Sequence, residues 1–224
     1  MPSRLPMLVA VALALAIPFA GRAQSVGVKG GWSHSTVAGP IDAGAPGLNS
    51  FATGAFLEVP VSRILSLQAE VLRVRKGTGD SLNGVQSTFA VTYTEFPLLA
   101  KVRVPLRSSP IKPNVFAGPY LAVKGSCKVE NAGALNSSLS CGDLVDVSNT
   151  DVGLTFGGGV GLPLTSRLDG LVEARYDLGL KSLSATTPPS DNKNRSFILF
   201  AGFSIPIGSR GKGTTTRALP SSLQ

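Results

Sequence analysis

The sequence predicts an all-β protein, an eight-stranded antiparallel up-and-down β-barrel that crosses a membrane. Three observations lead to this prediction: an export signal at the N-terminus, apolar and polar residues that alternate with a period of two, and polar segments that divide the chain into strand-length stretches. Only 15% of the residues are charged, yet no apolar run after the N-terminus is long enough for a membrane-spanning helix.

The N-terminus has the features of a secretory signal peptide. Arg4 supplies a positive charge, residues 7–20 are apolar, and Gly21-Arg22-Ala23 places small residues where a signal peptidase reads them. We therefore expect cleavage after Ala23, which removes residues 1–23. The mature barrel then spans residues 24–208, and a polar, disordered tail follows at 209–224.

Two segments show most clearly that the strands have two unlike faces. Between residues 94 and 104 the even positions from Phe96 to Val104 are apolar, and the odd positions include charged residues. Between residues 170 and 178 the even positions are again apolar or aromatic, and the odd positions carry three charges. The N-terminal strand follows the same rule, with Val28 and Trp32 on one face and Lys29 on the other.

The charged face is predicted to line the barrel interior. In a membrane barrel the uncharged face meets lipid, so the other face is enclosed. That face carries both signs of charge, and an eight-stranded barrel is just wide enough for side chains to fill it. We predict a packed ionic interior rather than an open pore, formed by Glu70, Glu95, Lys101, Arg103, Asp151, Glu173, Arg175 and Asp177.

An apolar–Pro–apolar triplet recurs and marks strand ends, because proline cannot donate to a sheet ladder. The four triplets contain Pro60, Pro105, Pro163 and Pro206. A short polar turn follows each of the first three. The spacing from Pro60 to Glu70 equals that from Pro163 to Glu173, which predicts two equivalent hairpins. Two further prolines, Pro97 and Pro119, fall inside predicted strands and indicate bulges.

Longer polar loops are expected at residues 38–49, 77–88, 130–150 and 181–194. Short turns at one end and long loops at the other are typical of outer-membrane barrels, whose turns are periplasmic and whose loops are extracellular. Cys127 and Cys141 lie in one Gly/Ser/Asn-rich stretch, and in an oxidising compartment we expect them to form a disulfide. A metal site is not expected there, because no His or third Cys lies nearby.

Other functional classes find little support in the residues. The net charge of +8 comes from basic residues scattered singly, which does not indicate a nucleic-acid binder but fits a surface that meets anionic lipid headgroups. The glycines at 157–161 lack the Gly-Lys-Ser/Thr ending of a phosphate loop, and small residues on a crowded interior face explain them better.

The only histidine, His34, is interpreted as a polar residue at the rim of the barrel. A lipid-modifying enzyme that pairs it with Ser33, Ser35 or Asp42 is the less favoured alternative. We expect no catalytic residues, no cofactor and no metal ion.

Several segments resemble the porin-family or PorT-like outer-membrane β-barrel domain, which is related in architecture to the OmpA barrel. The matching pieces, in order, are residues 27–31, 66–72 with 76–77, 93–99, 113–120 and 151–153. The resemblance covers nearly all of the mature chain and implies an eight-stranded outer-membrane barrel without a cofactor. It implies no single activity. The polar C-terminal tail departs from the usual ending, in which a strand finishes on an aromatic residue.

The predicted role is therefore structural or interactive, in outer-membrane lipid, with envelope or extracellular protein partners contacted through the loops. Three alternatives stay open at this point. They are a narrow pore for small solutes, a soluble periplasmic barrel that binds an apolar ligand, and the lipid-modifying enzyme. Alternation alone does not distinguish the first two, because a soluble barrel with the same pattern has its apolar face inside.

Overall fold

The computed structural model describes residues 24–38, 47–82, 85–106, 109–132, 138–140, 149–181 and 193–207. The predicted signal peptide and C-terminal tail lie outside these residues. All regular structure within them is β-strand. The described residues contain no helix long and apolar enough to cross a membrane.

Eight long antiparallel strands close into a barrel. Each strand pairs with its neighbour in the chain, β1 pairs with β9, and the β4–β5 pairing completes the ring. The short β6 pairs with the far end of β5 and extends the sheet. The strands are β1 (Gln24–Ala38), β2 (Leu48–Pro60), β3 (Leu65–Leu82), β4 (Val85–Arg103), β5 (Lys112–Ala132), β6 (Ser138–Ser140), β7 (Thr150–Pro163), β8 (Asp169–Gly179) and β9 (Lys193–Ile207).

The ladders show how far the strands are staggered on closure. Val74 of β3 pairs directly with Tyr93 of β4. Followed the other way around the ring, the same row returns to β4 at Arg103, by way of Ala52, Gly31, Phe200, Glu173, Gly159 and Asn114. Residues 93 and 103 are ten positions apart, so the barrel has a shear of ten. An eight-stranded barrel with such a stagger has strands tilted by roughly 35–45° from its axis.

One end of the barrel carries the short turns. The turns after β2 and β7 have matching backbone hydrogen bonds: the N–H groups of Val61 and Ser62 both donate to Leu65, and those of Leu164 and Thr165 both donate to Leu168. The prolines lie close to these ends. Pro60 and Pro163 are the last residues of β2 and β7, Pro105 follows β4, and Pro206 is the penultimate residue of β9.

The prediction of a loop at residues 77–88 is wrong, because most of this segment belongs to β3 and β4. The β3–β4 ladder continues through this segment to the pair Leu82–Val85, although the β2–β3 ladder ends at Ala52–Val74. The β4–β5 ladder reaches Gln86–Ala132 in the same region. We name the part of the sheet beyond this point the sheet extension, which consists of residues 75–82 of β3, 85–92 of β4, 126–132 of β5 and the whole of β6. Its glycines, serines and threonines suggested a loop, but pairing with β5 holds them in strands.

The register between β4 and β5 shifts at Thr92/Tyr93, not at either strand proline. Pro97 lies opposite Tyr120 and Pro119 lies opposite Leu154, each within a continuous register. The expected bulges at Pro97 and Pro119 are therefore absent from these ladders, because no register shift occurs there. The β4–β5 ladder is only interrupted beside the prolines, between the pairs Pro97–Tyr120 and Ala100–Ala117, and its one register shift lies nearer the sheet extension.

The polar face points inward and the apolar face points outward. On β1, Lys29 and Ser33 are buried, whereas Val28 is 60% exposed and Trp32 is 44% exposed. On β8, Arg175 and Asp177 are buried and Val172 is exposed. A soluble barrel that holds an apolar ligand needs the opposite arrangement, so the observed faces exclude that alternative.

The face of β7 that lines the interior is crowded at its middle. A Cβ atom on Gly157 would lie 2.3 Å from the carbonyl oxygen of Ala174 and 2.8 Å from Cζ of Phe116. We therefore expect Gly157→Ala to destabilise the barrel by about 1–3 kcal/mol, because the neighbouring strand and ring must move. Urea titration of the protein in liposomes, read by heat-modifiable gel migration, measures the change.

Gly161 supplies the matched control on the same strand and face. The nearest atom to its added Cβ is Cβ of Lys112, at 3.6 Å, which is ordinary contact. Gly161→Ala is expected to leave the urea midpoint nearly unchanged. Equal midpoints for the two variants would show that crowding at Gly157 does not matter.

Candidate functional site

Arg175 lies at the centre of the barrel interior and spans it. Its Nη1 donates to Glu70 Oε2 at 2.9 Å, and its Nη2 lies 3.4 Å from Glu95 and 3.2 Å from Asp177. Arg175 is on β8 and Glu70 is on β3, which are four strands apart in a ring of eight and therefore opposite each other. The ion pair between Arg175 and Glu70 therefore bridges the full diameter of the barrel at this level.

A second bridge lies beside the first. Lys29 Nζ donates to Glu70 Oε1 at 2.7 Å and to Glu173 Oε2 at 2.8 Å. Glu70 and Glu173 have the same spacing from Pro60 and Pro163, the last residues of β2 and β7. The two acceptors therefore occupy equivalent positions in the two hairpins. Lys101 Nζ donates to the other oxygen of Glu173 at 2.9 Å and to Gln68 at 2.7 Å. Three strands on different sides of the barrel are thus tied to β8.

The ends of the network are formed by two further pairs. Towards the sheet extension, Lys76 Nζ lies 2.6 Å from Glu95 and 3.8 Å from Asp177. Towards the short turns, Glu58 accepts hydrogen bonds from Ser66 and Arg103 and lies 3.5 Å from Lys101. Arg103 is the most accessible member, with 38% of its side chain exposed.

Together these residues form what we call the lumen charge cluster. It contains five basic and five acidic side chains, so its formal charges cancel: Lys29, Lys76, Lys101, Arg103, Arg175, Glu58, Glu70, Glu95, Glu173 and Asp177. Buried ions are tolerated only when they are paired, and every member of the cluster has an oppositely charged partner within 4 Å.

Aromatic rings pack against the basic members of the cluster. Lys29 Nζ lies 4.8 Å from the centre of the Phe200 ring, and the Arg175 guanidinium lies 5.4 Å from the same ring. Lys76 lies 4.9 Å from the Tyr120 ring and Lys101 lies 5.8 Å from the Phe116 ring. These rings occupy the space between ion pairs and add cation–π attraction.

The structure brings seven of the eight sequence-predicted interior residues into the cluster. The exception is Asp151, which is buried on β7 but accepts a hydrogen bond from Asn194 at 3.0 Å rather than pairing with a described basic residue. Sequence reasoning missed Lys29, Glu58 and Lys76 as members. Lys29 lies on the predicted polar face of β1, which is the signal for its membership. Lys76 and Glu70 are an even number of residues apart in β3, so the alternation of faces along this strand places Lys76 inside as well.

His34 lies on the outer surface. Its ring stacks on Trp32, and its Nδ1 is 2.8 Å from the side-chain oxygen of Asn49. Ser33 and Ser35 are buried on the opposite face of β1, and Ser35 bonds to the backbone of Gly77. Neither serine therefore reaches His34, and Asp42 lies outside the described residues.

The cysteine pairing stays a prediction. Cys127 belongs to β5, opposite Val91, whereas Cys141 lies outside the described residues. Within the part of the chain that the structure describes, no group of three or more His, Cys, Asp or Glu side chains is arranged to hold a metal ion. The acidic residues of the lumen charge cluster are instead neutralised by Lys and Arg.

A comparison with family models decides the class of this protein. The model described as "Outer membrane protein beta-barrel domain" matches residues 20–185, which is most of the chain. The chain belongs to this family. It is an outer-membrane β-barrel protein and sits in the lipid of that membrane. The match supports the OmpA-like eight-stranded architecture, and it does not distinguish a PorT-like subgroup.

Solved structures of other outer-membrane barrels share the fold. Neisserial surface protein A aligns with a TM-score of 0.52 at 18% identity, over 81% of this chain and 97% of its own. The outer membrane protein OprG from Pseudomonas aeruginosa aligns with a TM-score of 0.53 at 9% identity, over 84% and 98%. No curated protein sequence matches this outer-membrane barrel.

Proposed function

We propose that this outer-membrane barrel is closed to solutes and has a structural or interaction role carried by its outer surface and extracellular parts. The observation that carries the proposal is the lumen charge cluster, in which Arg175 contacts Glu70 across the full diameter. Both side chains are 0% exposed. A narrow pore, the alternative, needs a continuous aqueous path past these two residues.

The sheet extension is the surface that we propose for contacts with envelope or extracellular proteins. The ladders of β3, β4 and β5 continue beyond the β2–β3 pairing and project from the end opposite the short turns. Outer-membrane barrels carry their short turns in the periplasm, so this end is extracellular. These paired strands offer a surface for contacts with other molecules on that side of the membrane.

We also propose that the protein is not an enzyme. The support comes from His34, whose ring nitrogen pairs with Asn49 while both neighbouring serines point into the barrel. A nucleophile–base pair needs the two groups within hydrogen-bond reach of each other, and this segment does not supply that arrangement.

Planar-bilayer recording tests the closed barrel. The protein is refolded, its folded fraction is established by migration with and without boiling, and it is added to a bilayer beside an open general porin as the positive control. We expect no stepwise conductance from this barrel under conditions in which the porin gives regular steps. Reproducible steps from the folded fraction would overturn the proposal in favour of the narrow pore.

A further inference from the structure

Asp151 is a buried carboxylate at the extracellular end of the barrel interior, and it stands apart from the lumen charge cluster. Only 3% of the residue is exposed. Asn194 Nδ2 donates to its Oδ2 at 3.0 Å, whereas its Oδ1 accepts no hydrogen bond from any residue that the structure describes. Burying an ionised carboxylate is costly unless its charge is matched and its oxygens have partners. Asp151 therefore requires a partner that the cluster does not supply.

A bridge across the barrel fixes the position of this carboxylate. Tyr93 of β4 is hydrogen-bonded to the side chain of Asn194 of β9. These two strands are four apart in the ring of eight and therefore lie opposite each other. Asn194 in turn donates to Asp151 of β7. The bridge holds Oδ2 of Asp151 in place and leaves Oδ1 as the oxygen that can bind something else.

A second buried polar group without a partner lies beside Asp151. The Tyr120 hydroxyl is buried and makes no hydrogen bond within the described part of the chain. A Cβ atom on Gly153 would lie 2.5 Å from Cε1 and Cζ of Tyr120, so the phenol ring covers Gly153. Gly153 is the next inward position after Asp151 along β7, and the charge of Asp151 acts on the Tyr120 hydroxyl. The carboxylate and the hydroxyl therefore lie together.

The charges and the donor atoms at this place favour a cation. The lumen charge cluster is neutral, so Asp151 is a sixth acidic residue beside five basic ones. Lys76, whose Nζ lies 4.9 Å from the centre of the Tyr120 ring, is already paired within the cluster. Lys124, at the same end of β5, has an interaction of its own. Hard cations bind carboxylate and neutral oxygen atoms, and a single carboxylate matches a monovalent charge.

We propose that Asp151 and Tyr120 form a binding site for a monovalent alkali cation such as sodium. Asp151 Oδ1 supplies the negative charge, and the hydroxyl oxygen of Tyr120 is a neutral ligand. Asn194 acts as a positioning residue through the other carboxylate oxygen. A cation that binds only the folded barrel stabilises it. The site goes beyond the proposed structural or interaction role and does not depend on it.

The dependence of stability on sodium tests the site. The folded protein in phosphatidylcholine liposomes, with a chelator that removes divalent ions, is titrated with urea in sodium chloride and in N-methylglucamine chloride at equal concentration. Heat-modifiable migration gives the midpoints, and the organic cation is too large for an enclosed site. At a sodium concentration about tenfold above its dissociation constant, we expect the ratio of folded to unfolded protein to be about tenfold higher in sodium.

Asp151→Asn is expected to abolish this dependence, because the amide has no charge to attract the ion. In N-methylglucamine chloride the variant should be at least as stable as the parent, since it leaves no unmatched charge at this position. Asp169→Asn is the matched control. It removes a carboxylate from the exposed pair with Lys112 at the short-turn end of β8, and its dependence on sodium should equal that of the parent.

Equal midpoints for the parent in the two salts would overturn the proposal, and so would a sodium dependence that persists in Asp151→Asn. If Asp151→Asn does not fold, Tyr120→Phe takes its place, because this change keeps the ring over Gly153 and removes only the hydroxyl oxygen. We then expect a smaller difference between the two salts than in the parent, and an unchanged difference would reject the site.

Discussion

Arg175→Ala is expected to destabilise the barrel by about 3–5 kcal/mol, the cost that follows when one partner of a buried ion pair is removed. The substitution leaves Glu70, Glu95 and Asp177 buried, with their shared positive partner gone. It also removes the group that packs against the Phe200 ring. Urea titration in liposomes, read by heat-modifiable migration, gives the change in free energy of unfolding.

Arg103→Ala is the matched control, since it removes the same side chain from the same cluster at its exposed end. Arg103 pairs with Glu58, which also has Lys101 as a partner, and 38% of its side chain is exposed. We expect a loss of about 1 kcal/mol or less, as for a solvated ion pair. Similar losses in both variants would contradict the view that burial sets the cost.

Leu98→Arg is expected to cost about 2–4 kcal/mol, because it places a charge on the lipid-facing side near the bilayer midplane. Leu98 is exposed, while Pro97 and Leu99 on either side of it point inward and are buried. Leu98 lies four residues from Thr94, the nearest polar residue on the outward face of β4, and five residues from the end of β4 at Arg103. Neither boundary of the lipid is therefore close to Leu98. The same liposome titration measures the loss, and folding into thinner bilayers is expected to reduce it.

Val104→Arg is the matched comparison, because Val104 faces the same side of the barrel wall as Leu98. Val104 is also exposed and apolar but follows the end of β4 at the short turns. Near an interface an arginine costs about 0–1 kcal/mol. A result in which both variants lose the same free energy would mean that Val104 is not at the boundary of the lipid.

The alternation of residues predicted the two faces of β4 and β8 correctly, because each of those strands carries its charges at one parity. It was less informative where buried apolar side chains share the interior with charges. Leu72, Val74, Ile198 and Phe200 are all buried inside the barrel. In β3 two such residues lie between Glu70 and Lys76, so the even spacing of the two charges reveals their shared face while the polarity of the residues between them does not.

The partners within the lumen charge cluster were not predictable from local sequence. Arg175 reaches Glu70 because the ring has eight strands and a shear of ten, and both quantities belong to the closed barrel. No spacing along the chain encodes that contact. The error at residues 77–88 has a related cause, since composition reports turn-forming residues but not the strand that pairs with them.

The ion pairs of the interior have a consequence for the order in which the protein assembles. Lys29 and Glu173 are 144 residues apart in the chain, and Glu70 and Arg175 are 105 apart. Contacts of such separation form late and slow the folding of a chain. Before β1 meets β9, Lys29 of β1 is separated from Glu173 of β8 by the open seam, although Lys29 and Glu70 already lie on the same side of it. Closure of the last seam is therefore expected to bring Lys29 and Glu173 together and to release the water that solvates them.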